Sequence, residues 1–105
     1  MGATASLALP NAGLAQIGFA SLHARTANIQ LLPETYGETQ IWGFDGKAPG
    51  PEIRVAQGAR VQRRLTNNLP DATSTHWHGI RIDNAMDGVP GVTQDAVPPG
   101  GAFLY

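Results

Sequence analysis

Apolar and polar residues alternate along the chain from Ala24 onward. Ala27, Ile29 and Leu31 are separated by single polar residues, and this period of two is typical of a β-strand with one buried face. The pattern stops at Pro33, because proline cannot donate the backbone hydrogen bond that a strand requires. The sequence therefore predicts a first strand between Ala24 and Pro33.

Five further segments have the composition of short strands, with β-branched, aromatic or other apolar residues. They are residues 39–44, 52–55, 60–67, 73–82 and 102–105. Turn sequences separate them, of which Asp45-Gly46 and Gln57-Gly58 are the clearest. The candidate core residues of the two middle segments are Ile53, Val55, Val61 and Leu65.

The composition supports an all-β fold. The 105 residues include 13 glycines and 8 prolines, which favour short strands joined by turns. A hydrophobic content of 42% with 14% charged residues is compatible with a folded core. Because no helical periodicity of useful length occurs, the chain is predicted to form one domain at most, a β-sandwich or barrel.

Charge and cysteine content exclude several classes of function. Seven basic and eight acidic residues leave a net charge of -1, which offers no electrostatic surface for nucleic acid. Arg60, Arg63 and Arg64 lie close together in the sequence, but charged residues in such a run usually form a solvated face. With no cysteine in the sequence, this chain cannot contain a disulfide, a thiol nucleophile or a blue-copper centre, which needs a thiolate ligand.

Residues 1–23 resemble the end of an export signal or a disordered leader. An apolar run is followed by Pro10 and Asn11, and small residues then stand where a signal peptidase cleaves, although the basic part of such a signal is missing. No segment has the roughly twenty apolar residues of a membrane-spanning helix. We therefore expect an exported protein without a membrane span, and a domain that occupies residues 24–105. His23 is expected to be a solvated histidine.

The candidate chemistry lies in the segment His76-Trp77-His78-Gly79. On a strand, residues two positions apart point to the same face, about 6.6 Å apart along the backbone, so His76 and His78 present two imidazoles to one side. Imidazole is a ligand for copper, zinc and iron. The spacing alone leaves open whether the pair shares one metal ion, binds two neighbouring ions or has no metal at all.

The sequence around this pair resembles the first copper-binding segment of multicopper oxidases. The resemblance rests on residues 75–80 followed by Asp87-Gly88, on the upstream run 42–55, and on the turn 97–101. It extends from about Ala27 to Tyr105, with the motifs in the order that the family has. Asp95 stands where some laccases have a cysteine, and this favours bacterial rather than plant or fungal members.

The resemblance implies a fold and a metal site. The fold is a cupredoxin-like Greek-key β-sandwich, incomplete here, as the N-terminal domain of a laccase-like protein. His76 corresponds to a ligand of the type 2 copper, and His78 to a ligand of the type 3 copper pair. Asp87 corresponds to an acid that delivers protons to the cluster, although an Asp-Gly pair is also a common turn. The chain ends inside a predicted strand, so Tyr105 is interpreted as a truncation point.

The resemblance also implies an activity for the parent protein. It would oxidise a small reducing substrate, phenol-like or cuprous ion, and reduce dioxygen to water, with a type 1 copper in a C-terminal domain outside this chain. A periplasmic or secreted location is expected, and the isolated chain is expected to be inactive. Two alternatives stay open: a non-catalytic cupredoxin-like copper-binding module, and a mononuclear enzyme of cupin or carbonic anhydrase type that uses His-X-His.

Overall fold

The computed structural model describes Gly2 and residues 20–105. This part of the chain contains four strands, which are β1 (Ala20–Ile29), β2 (Thr39–Phe44), β3 (Arg63–Asn67) and β4 (Ala102–Leu104). Two single-turn 3-10 helices, Glu34–Tyr36 and Asn84–Met86, lie in the connections. The prediction of an all-β fold is confirmed. Among the described residues no helix is long and apolar enough to cross a membrane.

The strands form one open sheet in the order β2-β1-β3-β4. The second half of β1 pairs with β2 antiparallel, from Ala24 opposite Phe44 to Ile29 opposite Thr39. The first half of β1 pairs with β3 parallel, with Leu22 opposite Leu65. β4 then pairs antiparallel with β3. Because its two halves have different neighbours, β1 holds the sheet together.

The hydrophobic core lies on one face of this sheet. Its buried members come from β1, from β3 and from the loops that follow, and they are Ala24, Leu65, Leu69, Val97 and Tyr105. Phe44, Trp77, Met86 and Phe103 pack against this cluster from its border. Leu65 is fully buried. The long connection between β3 and β4, residues 68–101, thus folds over the sheet and closes the core.

Four predicted strands are confirmed in position, three of them with different ends. β2 has the predicted bounds, and β4 falls within 102–105. β3 begins at Arg63 rather than at residue 60. β1 begins at Ala20, ahead of the predicted start, because its first residues pair with β3. Residues 1 and 3–19 of the predicted leader lie outside the described residues, while His23 lies on β1 and is exposed, as expected.

Two predicted strands are wrong. Residues 52–55 and 73–82 have extended or turn conformation without a ladder, and the only pairing in either segment among the described residues is the isolated bridge between Thr73 and Val97. Alternation of side chains needs only an extended backbone, whereas a strand also needs a neighbour along its length. Two predicted buried positions, Leu31 and Val55, are 54% and 50% exposed.

The predicted turn at Asp45-Gly46 is confirmed. Both residues have positive φ, 55° and 69°, and the amide of Lys47 donates to the carbonyl of Phe44 at 3.2 Å. Two successive positive φ values define the type I′ geometry, which asparagine, aspartate and glycine adopt most easily. The Asp45 carboxylate accepts a hydrogen bond from the amide of His23 at 2.9 Å, so the turn is fastened to β1.

Candidate metal centre

The histidine segment follows a backbone bridge between two residues of the connection from β3 to β4. Thr73 and Val97 exchange two backbone hydrogen bonds, of 3.0 and 2.7 Å. Beyond this bridge the side chains alternate: Thr75 is buried and Trp77 is half-buried against the core, whereas His76 and His78 are exposed. The alternation that the sequence predicted for a strand is thus present in an extended loop. It turns both imidazoles outward.

The two imidazoles face each other. Their ring centroids are 5.4 Å apart at an interplanar angle of 67°. Nε2 of His76 lies 3.2 Å from Nδ1 of His78. A direct contact of this length between two ring nitrogens is a hydrogen bond, in which one nitrogen donates its proton and the other accepts. The structure therefore brings His76 and His78 together at one point of the surface.

Asp87 lies on the other side of the His76 ring. Nδ1 of His76 is 2.6 Å from the backbone carbonyl oxygen of Asp87 and 3.7 Å from its carboxylate Oδ1. A carbonyl oxygen only accepts hydrogen bonds, so Nδ1 must carry the proton. In the neutral ring this leaves the lone pair on Nε2, the nitrogen that faces His78. The backbone of Asp87 therefore selects the tautomer that can bind a metal there.

The loop that carries Asp87 has its own local order. The Asp83 carboxylate accepts from the amide of Ala85 at 3.1 Å and caps the short helix Asn84–Met86. The amide of Asp87 then donates to the carbonyl of Asn84 at 3.2 Å. Asp87 thus ends a turn of 3-10 helix, and its carbonyl also contacts the imidazole of His76.

Gly88 allows the loop to approach the histidine segment. Its φ is +73°, and a Cβ at this position would overlap the carbonyl oxygen of Thr75 and come within 3.0 Å of the Cα of His76. The hydroxyl of Ser74 also donates to the carbonyl of Gly88, at 2.6 Å. A glycine is required here for two reasons, the positive φ and the close backbone contact.

Two residues beside this site, Tyr105 and Gln94, were not among the candidate site residues of the sequence. The Tyr105 hydroxyl accepts from the amide of Thr75 at 3.0 Å and donates to Oε1 of Gln94 at 2.7 Å. Neither residue belongs to a recognisable metal-binding pattern. The alternation of Phe103 and Tyr105 on the last strand could have indicated that Tyr105 points inward, but nothing in the sequence indicates its partner Gln94.

The donor set fits copper in part. Imidazole nitrogens are ligands that copper accepts readily, and both rings are accessible at the surface. Among the described residues, however, no group of three or more histidine, cysteine, aspartate or glutamate side chains could hold a metal ion, and His23 does not join the pair. A metal ion bound at this pair would therefore require further donors from outside the described residues.

A sequence model described as multicopper oxidase matches residues 25–105. Oxidoreductase OpS5 of Beauveria bassiana is 44% identical over 81 residues, which are 74% of this chain and 14% of that protein. A copper resistance protein A homologue of Pseudomonas syringae pv. tomato is 40% identical over 80 residues, 68% of this chain and 14% of that protein. The chain therefore spans 14% of the length of each of these relatives.

Solved structures are similar in fold. Lac15 from a marine microbial metagenome superposes with a TM-score of 0.79 at 48% identity, over 83% of this chain and 23% of that chain. A multicopper oxidase from Pseudomonas thermotolerans superposes with a TM-score of 0.75 at 44% identity, over 81% of this chain and 20% of that chain. The open all-β sheet thus matches that of cupredoxin-like multicopper oxidases, as the resemblance implied.

Proposed function

Because the chain belongs to the multicopper oxidase family, we propose that it supplies ligands to a copper cluster in an oxidase. His76 would bind the type 2 copper and His78 one ion of the type 3 pair. The observation that carries this proposal is the facing of Nε2 of His76 and Nδ1 of His78 at 3.2 Å. Two neighbouring ions need imidazoles that project from separate residues to the same side of the chain, and His76 and His78 do so.

The copper ions, when bound, would accept electrons singly from a reducing substrate and pass them to dioxygen, which is reduced to water. The contribution of this chain is to hold the two imidazoles in one orientation. The carbonyl of Asp87 keeps the proton of His76 on Nδ1, because a carbonyl oxygen can only accept a hydrogen bond. Metal-bound histidines commonly donate the N–H of their second ring nitrogen to a carbonyl or carboxylate in this way. Nε2 then remains unprotonated and available.

Asp87 is proposed to move protons. The reduction of dioxygen to water consumes protons, so the site needs a group that takes them up from solvent and releases them. The Asp87 side chain is one third exposed and its Oδ1 lies 3.7 Å from Nδ1 of His76. A carboxylate in that position is accessible to water and lies close to His76. The backbone carbonyl of Asp87 contacts His76 separately, so this contact does not depend on whether the carboxylate carries a proton.

The remaining parts of the proposed oxidase would come from other domains. The relatives are much longer than this chain, and the sequence contains no cysteine for a type 1 copper. The further histidines, the type 1 centre and the site of the reducing substrate would belong to those domains. The similarity to a copper resistance protein supports cuprous ion as a candidate substrate, in addition to phenols. We propose a periplasmic or secreted location for the oxidase.

The proposal is tested with the variant His76→Ala, made in the full-length protein encoded by the gene. We expect fewer copper ions per chain, loss of the type 2 signal in electron paramagnetic resonance, and loss of oxygen consumption. His23→Ala is the matched control, because His23 is also exposed but lies on β1 outside the pair. A wild-type protein with a single bound ion would contradict the cluster and favour a binding module or a mononuclear enzyme.

A further inference from the structure

We propose that Tyr105 is a positioning residue for His76, acting through the residues on either side of that histidine. This inference rests on the proposed function, since it concerns the orientation of a copper ligand. Tyr105 lies directly after β4 and is 7% exposed. Its hydroxyl and ring contact the two sequence neighbours of His76. It holds the backbone from which the imidazole projects.

The hydroxyl of Tyr105 fixes the residue before His76. It accepts a hydrogen bond from the amide of Thr75 at 3.0 Å. Its own proton goes to Oε1 of Gln94 at 2.7 Å, so the hydroxyl both accepts and donates. Gln94 is oriented in turn, because its Nε2 donates to the carbonyl of Asp95 at 3.1 Å. The amide orientation that presents Oε1 to Tyr105 is thereby fixed.

The ring of Tyr105 fixes the residue after His76. It packs edge-on against Trp77, with ring centroids 6.0 Å apart at 70°, and it also packs against Phe103, with ring centroids 4.6 Å apart. Aromatic pairs in such geometries are favourable beyond the area that they bury. The same side chain therefore contacts both neighbours of His76 in the sequence, one by a hydrogen bond and one by packing.

Tyr105 is itself anchored to the sheet. Its amide and carbonyl exchange hydrogen bonds with Arg63, both at 2.8 Å, which extends the pairing of β4 with β3 by one residue. Among the described residues, the histidine segment forms no ladder beyond Thr73. Tyr105 thus provides the contact through which the rigid sheet restrains this loop. Without the hydroxyl, the amide of Thr75 would be a buried donor lacking its partner, and the segment would move to satisfy it.

Tyr105→Phe tests this inference, because it keeps the ring and removes only the hydroxyl. We expect an altered hyperfine splitting of the type 2 copper signal and a dissociation constant for copper raised about 10-fold, the lower end of the effect of residues that orient a ligand. Tyr36→Phe is the matched control, since Tyr36 is 73% exposed. Gln94→Leu removes the acceptor of the hydroxyl proton and should shift the signal in the same direction, even if the tyrosine variant folds poorly.

The outcomes separate the two proposals. An unchanged type 2 signal and copper affinity in both Tyr105→Phe and Gln94→Leu, beside a normal wild-type signal, would overturn only the positioning role. Lower thermal stability of the copper-free variants with an unchanged type 2 signal would do the same, because it would mean that Tyr105 acts in folding alone. A wild-type protein that binds no copper would overturn the positioning role together with the proposed function.

Discussion

At the scale of single residues, the position of the proton on His76 depends on a backbone atom. The carbonyl of Asp87, not its carboxylate, makes the short contact with Nδ1. The sequence predicted that His76 and His78 share one side, because alternation holds for any extended backbone. It could not predict the contact with Asp87, which depends on how the residues between 78 and 87 fold back. Only the family resemblance indicated that an acid lies near the site.

The backbone carbonyl and the carboxylate of Asp87 have different proposed roles, and this difference leads to a prediction. Asp87→Asn keeps the carbonyl and the size of the side chain but removes the group that can bind and release a proton. We expect oxygen consumption to fall on the order of 10²-fold, as for the loss of a general acid or base, while copper content and the type 2 signal stay unchanged. Activity and copper content are measured on the same preparation.

The control for this variant lies in the same loop. Asp83 caps the helix Asn84–Met86. An asparagine side chain caps a helix about as well as an aspartate, so Asp83→Asn should keep its activity. Loss of copper in proportion to the loss of activity in Asp87→Asn would contradict proton transfer. It would indicate that the carboxylate acts in the structure of the loop.

At the scale of elements, the patterns that predicted the sheet worked where a strand had a neighbour. β2 has the predicted bounds because it pairs with β1 along its whole length. The segment 52–55 has a comparable composition but no paired neighbour among the described residues, and it is not a strand. A sequence pattern of period two indicates an extended backbone with alternating side chains, whereas a strand also needs a paired neighbour. Val55 in this segment is 50% exposed, so the pattern did not ensure burial either. The site lies on a loop of this kind.

The close contact between Gly88 and the histidine segment also leads to a prediction. Gly88→Ala would place a methyl group against the carbonyl of Thr75, in addition to the cost of a positive φ, which is about 1–2 kcal/mol for alanine. We expect the free energy of unfolding to fall by more than that amount, and copper affinity to fall with it, because Asp87 and His76 are pushed apart. Denaturant titration and copper titration measure the two effects.

Gly58→Ala is the control for backbone strain. Gly58 has a φ of +82°, and an added Cβ would meet nothing within 4 Å. This variant should therefore lose about 1–2 kcal/mol of stability and retain its copper. Equal losses of stability in the two variants, with copper retained in both, would contradict the view that Gly88 is required for the approach of the loops.

At the scale of the whole molecule, the core joins the sheet to the candidate metal site. The buried residues Leu69 and Val97 lie on the connection that also carries the histidines, and they pack on Leu65 of β3 and Ala24 of β1. Trp77 packs against the same cluster while its two neighbours face outward. The orientation of the imidazoles is thus a consequence of core packing. The candidate core residue Leu65 was predicted from the sequence, but its contacts across the chain depend on the fold.

The one-sided core predicts an asymmetry between leucines on adjacent strands. Leu65 on β3 is fully buried, whereas Leu104 on β4 points to the other face and is 40% exposed. Leu65→Ala should lower the free energy of unfolding by about 2–5 kcal/mol, because it removes packed methyl groups and leaves a cavity. Leu104→Ala should cost roughly 1 kcal/mol or less, since much of that side chain already contacts solvent. Denaturant unfolding of both variants beside the wild type measures the difference, and equal losses would mean that the second face is covered as well as the first.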